Sequence, residues 1–215
     1  MKTNSSRVDA PDNLGVTLRA AAGSAWRPLA GAMAIGQLVS GCSMMNLGAT
    51  NSASAAEPAA RVQLMTAAGA PAGEATLYSV KGATEIVINA TGLKPGVHGF
   101  HIHTNGVCAP APDAATGQTV AFGAAGGHFD PGGSAKHGQP GESPTHNHAG
   151  DLPNLVVEAD GRGAVRYVNS YVTIAAGPQS VMGRALVVHA DPDDYMTNPA
   201  GMSGARVLCG VIKPA

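Results

Sequence analysis

Two residues apart in the run GFHIH, His101 and His103 would project from one face of a β-strand. Imidazole nitrogen is a ligand for copper and zinc alike, so two rings aimed at one point are the beginning of a metal site. The same pair on a solvated strand face would do no chemistry, and the run alone does not separate the two readings. Further candidates follow in distinctive settings: His128 in GGHFDP, His137 in AKHGQP, His148 and Asp151 in HNHAGDL, and His189 in VVHADPDD. Four imidazoles in tetragonal array favour Cu(II), whereas three imidazoles with one carboxylate suit a closed, structural zinc.

In this order and with these flanks, the motifs, joined by GARVLCGVI near the end of the chain, resemble the copper/zinc superoxide dismutase family over roughly residues 73–212. The resemblance implies an all-β fold, an eight-stranded Greek-key β-barrel of immunoglobulin-like sandwich type with two long functional loops. It implies copper on His101, His103, His128 and His189, and zinc on His128, His137, His148 and Asp151. His128 would then bridge the two ions with both ring protons gone, which only two cations on its two nitrogens would favour near neutral pH.

By the same resemblance Asp193 would hydrogen-bond the free ring nitrogens of His103 and His137. Arg206 would attract the anionic substrate, superoxide. Cys108 and Cys209 would form a disulfide, and His98 would bond backbone rather than metal. His146 matches no ligand and reads as a solvated side chain. The implied activity is disproportionation of superoxide to dioxygen and hydrogen peroxide, with copper cycling in charge and His128 carrying a proton to the peroxide. A copper-delivery module or a zinc-only relative is the competing reading. Loss of a copper ligand or of the arginine would favour it, and neither is lost.

Positioning such a set calls for short strands and ordered loops. Alternating runs at 61–66, 73–81, 85–91, 96–103, 155–159, 164–171, 181–189 and 206–212 predict eight strands, separated by glycine-rich turns. No segment carries a helical period. The stretches 104–154 and 190–205 interrupt the strands, and the longer holds four of the eight histidines. Loops of this length in a compact domain are usually functional. The insert 109–127 is nearly uncharged and longer than in many eukaryotic relatives. The loop after His189 lacks the Glu- and Lys-bearing segment that steers superoxide in them. That leaves Arg206, with Lys136 the other cation near the motifs in sequence.

The N-terminal third reads differently. The apolar run 28–39 follows Arg19 and Arg27 and ends in VSGC, which resembles a bacterial lipobox. It is too short to span a bilayer as a helix. Residues 1–41 are therefore expected to be a signal peptide, with Cys42 lipidated and membrane-anchored on the periplasmic side of the cell envelope. Cleavage after the Ala53–Ala55 stretch, giving a soluble periplasmic protein, is the alternative. Residues 42–60, rich in Ser, Ala and Asn, read as a flexible tether with a reach of about 20–25 Å, leaving 61–215 as the dismutase domain. From Cys42 onward nine Lys/Arg stand against twelve Asp/Glu, a balance that excludes nucleic acid as an expected partner. Oligomeric state is left open by the sequence, a homodimer included.

Overall fold

The computed structural model describes residues 56–114 and 116–215. The expected signal peptide, Cys42 and residues 42–55 of the expected tether lie outside the described residues. Period-two alternation builds the sheet. Along β1 (Ala60–Thr66), Ala60, Val62 and Leu64 are buried while Arg61 and Gln63 face solvent. A meander joins β1 to β2 (Pro71–Val80) and β3 (Ala83–Ala90). The last two form an antiparallel ladder from Gly73↔Ala90 to Val80↔Ala83.

The chain next leaves the meander for β4 (Gly96–His98) and β5 (Phe100–His103), then runs through the long loop containing β6 (Ala111–Pro112) and β7 (Thr119–Val120). It returns through β8 (Leu155–Val157) and β9 (Gly163–Asn169), then β10 (Ala185–His189), β11 (Arg206–Val211) and β12 (Lys213–Pro214). Spatial order in the main sheet is β4-β8-β9-β3-β2-β1-β11-β10-β5, with β12 beside β1. The non-sequential neighbours β3/β9 and β5/β10 give Greek-key connectivity. The two ends of that order, β4 and β5, adjoin in the chain at Gly99, so the sheet is nearly closed as a barrel.

The strand expected over 96–103 is thus two. Its first half pairs with β8 and its second with β10. Gly99 sits at the switch because a Cβ there would lie 2.9 Å from Ser203 Cβ and 3.2 Å from Asp193 Cβ. The expected strand 181–189 starts late, at Ala185, since Arg184 N–H bonds back to the Val181 carbonyl (3.1 Å) and closes a turn. The stretch 104–154 is more ordered than its sequence suggests. It carries the β6–β7 hairpin and a 3-10 turn at Gly123–Ala125.

Apolar side chains pack in two groups. Phe100 and Ile102 of β5 enter the main core with Leu64, Leu77, Ile86, Ile88, Leu186 and Leu208. Ala185 and Val187 point the other way, against Phe122, Ala125 and Cys209. Strands β5 and β10 are consequently buried on both faces. The Cys108–Cys209 disulfide, with Cα atoms 5.7 Å apart, ties the long loop to β11 at this second group.

Since that bond closes a loop of sequence separation 101, its loss should destabilise by up to about 5 kcal/mol through loop entropy. A Cys108→Ala/Cys209→Ala variant is expected to show a denaturant midpoint lowered accordingly. An unchanged midpoint would exclude any cross-linking role.

Candidate metal centre

The outer edge of β5 accepts loop backbone where a strand would otherwise pair. Ile102 N–H donates to the Gly150 carbonyl (2.9 Å), Phe129 N–H to the Ile102 carbonyl (2.8 Å), and Gly150 N–H to the Phe129 carbonyl (2.8 Å). Thr104 N–H bonds the Gly127 carbonyl (2.9 Å). Isolated bridges result between His101 and Asp151 and between His103 and His128. Period-two geometry sends Phe100 and Ile102 into the core and His101 and His103 to the loop side, where they are 0% and 1% exposed.

All eight residues singled out for metal and hydrogen-bond roles come together. His101, His103, His128 and His189 offer ligand atoms within 4.8 Å of one another, as do His128, His137, His148 and Asp151. His128 belongs to both groups. A third cluster joins His101, His137 and Asp193. In the first group each ring has one nitrogen engaged by protein. His101 Nε2 meets Asp193 Oδ2 (2.7 Å), His103 Nδ1 the Gly126 carbonyl (2.8 Å), His128 Nδ1 Asp151 Oδ1 (2.7 Å), and His189 Nδ1 the Gly204 carbonyl (3.3 Å).

The opposite nitrogens are left facing inward. His103 Nε2 and His189 Nε2 are 3.4 Å apart, while His101 Nδ1 and His128 Nε2 are buried with no hydrogen-bond partner among the described residues. Orphaned buried nitrogens cost roughly 1–3 kcal/mol each. A cation among four imidazole nitrogens removes that penalty, and this donor set fits copper.

The second group converges on one oxygen. Asp151 Oδ1 lies 2.7, 3.1 and 3.3 Å from the Nδ1 atoms of His128, His137 and His148. Asp151 Oδ2 is held separately by the backbone N–H groups of Gly138 and His148, each at 3.2 Å. Three imidazoles and a fixed carboxylate oxygen fit zinc. Asp193 joins the groups from behind, its Oδ1 reaching His137 Nε2 (2.7 Å).

The expectation that Asp193 contacts His103 is corrected: its histidine partners are His101 and His137. Gly99 explains the difference. The position where its Cβ would stand is 3.2 Å from Asp193 Cβ and 3.3 Å from His101 Cε1, so Asp193 lies beside the start of β5 and His103 is further along. His98 bonds backbone only, with its Nδ1 2.7 Å from the His189 carbonyl and its Nε2 2.8 Å from that of Lys94. His146 is exposed.

Several positioning residues escape a reading of the sequence. Asn154 bonds the Asp193 carbonyl and N–H (both 2.9 Å), and Asn198 Oδ1 accepts from His137 N–H (2.6 Å). Gly201, at φ 64, allows the Asp193–His137 contact, because a Cβ there would collide with both. An Asn beside a proline is a turn signal, and nothing in its sequence setting points to a distant partner.

Burial dominates the electrostatics of the first group. It lowers His101 to about 4 and His128 and His189 to about 3, with neighbouring rings pushing the same way. His137 also loses solvent, but its hydrogen bonds to Asp151 and Asp193 outweigh that and raise it to about 9. Burial would raise Asp151 and Asp193, yet their histidine partners hold both carboxylates well below the usual range. The inward nitrogens of the first group are therefore neutral and ready to ligate at neutral pH.

Arg206 stands in front of these rings, lining a cavity of about 270 Å³ with His103, His128 and His189. Its Nη1 donates to the Phe122 carbonyl (2.9 Å), and its Nη2 is 3.9 Å from Asp113 Oδ2. Phe122 adopts φ 58, a costly backbone conformation for a large buried residue, and it aims that carbonyl. Lys136 is exposed on the loop and does not line the cavity.

These shifts fix the acid response of metal-free protein. Groups whose folded pKa is depressed from 6.5 to about 3–4 bind protons more readily when unfolded, so the stability they give is lost as pH falls below about 6.5. His137, raised to about 9, acts oppositely, and its contribution fades as pH rises through about 9. Chelator-stripped protein should melt at progressively lower temperature from pH 6.5 to 4. A flat profile over that range would contradict the burial of neutral rings.

Comparison with known proteins agrees with the arrangement. Residues 71–212 match the family described as Copper/zinc superoxide dismutase (SODC). A Superoxide dismutase [Cu-Zn] of Deinococcus radiodurans is 45% identical over 157 residues, 73% of this chain and 85% of that protein. The solved Cu/Zn superoxide dismutase of Brucella abortus aligns with TM-score 0.61 at 34% identity, covering 71% of this chain and 98% of the other. A SOD-like protein from Bacillus subtilis aligns with TM-score 0.59 at 36% identity, covering 70% and 95%. With the family matched over most of its length and relatives of this identity, the chain belongs to the copper/zinc superoxide dismutase family.

Proposed function

We propose that the chain disproportionates superoxide, two superoxide ions and two protons giving dioxygen and hydrogen peroxide, with copper and zinc on the two ligand groups joined through His128. The carrying observation is that one His128 nitrogen meets Asp151 Oδ1 at 2.7 Å while the other is a buried orphan facing His101, His103 and His189. In this reading His101, His103, His128 and His189 would hold copper, which would supply the one-electron couple that disproportionation requires. Zinc, held by His128, His137, His148 and Asp151, supplies fixed positive charge.

The chain's own groups do the rest. Arg206 draws the anion into the cavity and orients it, its Nη1 bonded to the Phe122 carbonyl. His128 Nε2 takes up a proton in one half of the cycle and delivers it to the peroxide in the other. Asp193 holds the rings of His101 and His137 at fixed angles through the Nε2 atom of each.

The cell envelope is the proposed place of action, on the strength of the apolar run 28–39 and the VSGC that ends in Cys42. Superoxide crosses membranes poorly as an anion, so an enzyme at that surface would act on what forms there.

Three experiments test these readings. Because one ring would serve both ions, His128→Ala should lose zinc occupancy and disturb the copper spectrum together, while His101→Ala should spare zinc. Superoxide decay measured by pulse radiolysis should be fast in the loaded parent and fall about tenfold or more in Arg206→Ala, with a flatter dependence on ionic strength. Equal zinc retention in the two histidine variants would refute the shared ring. For the anchor, Cys42→Ser should release the protein from membranes, and an unchanged membrane fraction would exclude lipidation there.

A further inference from the structure

Asp113 is the one carboxylate, and Arg206 the one guanidinium, among the described residues lining the cavity in front of the metal-ligand groups. The β6–β7 hairpin holds this carboxylate in place. Asp113 N–H bonds the Gln118 carbonyl (2.8 Å), its own carbonyl accepts from Gly117 N–H (2.8 Å), and its Oδ1 accepts from Thr116 N–H (3.1 Å) and Oγ1 (3.2 Å). Oδ2 reaches toward Arg206 Nη2, at 3.9 Å. That separation is too long for a hydrogen bond and short enough for attraction. Both side chains are mostly buried, at 13% and 26% exposed for Arg206 and Asp113, so solvent only partly screens the pair.

We propose that Asp113 is a specificity-determining residue whose carboxylate competes with an incoming small anion for the Nη2 edge of Arg206. The identity of that anion as superoxide rests on the dismutase reading above. Nη1 is engaged by the Phe122 carbonyl, which leaves Nη2 as the edge to be contested. An anion that settles there displaces a loose ion pair and also feels the repulsion of Asp113. Both effects shorten its stay. Such a device suits a substrate that must arrive and leave quickly, and it disfavours anions that would otherwise lodge beside the copper. It also gives the nearly uncharged insert 109–127 a purpose, since the hairpin within it presents one negative charge at one defined place.

The probe is azide, titrated into copper-and-zinc-loaded protein and followed by the copper(II) visible spectrum. Asp113→Asn keeps an oxygen for Thr116 and removes the charge. Its azide Kd should fall about three- to tenfold at low ionic strength, with the gain shrinking as salt rises. Thr116→Val weakens the same turn and keeps the charge, so its Kd should match the parent's. An unchanged Kd in Asp113→Asn with full metal content overturns the proposal, as does an equal change in both variants. Should Asp113→Asn fail to load metal, Asp113→Ser can still cap the turn and carries the same expectation. Superoxide decay of the parent is measured separately. A parent without dismutase activity but with the Asp113→Asn shift would sink the dismutase reading and leave the competition standing.

Discussion

The free edge of β5 is the constraint from which the site follows. A barrel strand normally gives both edges to neighbouring strands, but this one gives β10 one edge and offers the other to loop segments around Gly127, Phe129 and Gly150. Those few backbone hydrogen bonds place His128 opposite His103 and Asp151 opposite His101. The candidate ligands thus come from two sources of different stiffness: strand positions set by the pleat, and loop positions set by bonding to the same strand. Loops alone would carry too much conformational freedom to converge on points within ångströms. Here the barrel lends them its rigidity.

Covering that edge changes what the interior can contain. The loops bury the polar face of β5 as thoroughly as the core buries its apolar face, so the histidines and aspartates of both ligand groups are buried without the usual solvent compensation. Carboxylates answer part of the need. Asp151 and Asp193 take ring nitrogens from opposite directions, leaving His101 Nδ1 and His128 Nε2 unmatched by protein. A polar interior that satisfies one nitrogen of each such ring and not the other is what metal ligation requires. The disulfide adds a second restraint, since Cys209 follows Arg206 on the same strand and fixes the loop that lines the other side of the cavity.

Much of this is legible in the chain, for identifiable reasons. Strand alternation is a local signal, and six of the eight expected strands match observed ones to within a few residues. The split at Gly99 is not legible, because the crowding that forces it comes from Ser203 and Asp193, far along the chain. The eight site residues stand out by their short motifs, whereas the pairing of Asp193 does not follow from them. His101 and His103 share a face and a residue type, and only the register of the loop against the strand distinguishes them. Asn154 and Asn198 are silent in the sequence because their partners are 39 and 61 positions away. Asp113 is hidden in an insert that looks inert.

The pairing of β12 with β1 has a topological consequence. Lys213 is the register partner of Arg61, and Pro214 of Ala60, so the barrel's entry and exit are one strand spacing apart, about 5 Å. A glycine-rich linker of a few residues would join them into a ring, and the cyclised chain could be reopened at the β2–β3 turn around Gly82. A circular permutant of this kind would keep the histidine-bearing half as one uninterrupted stretch.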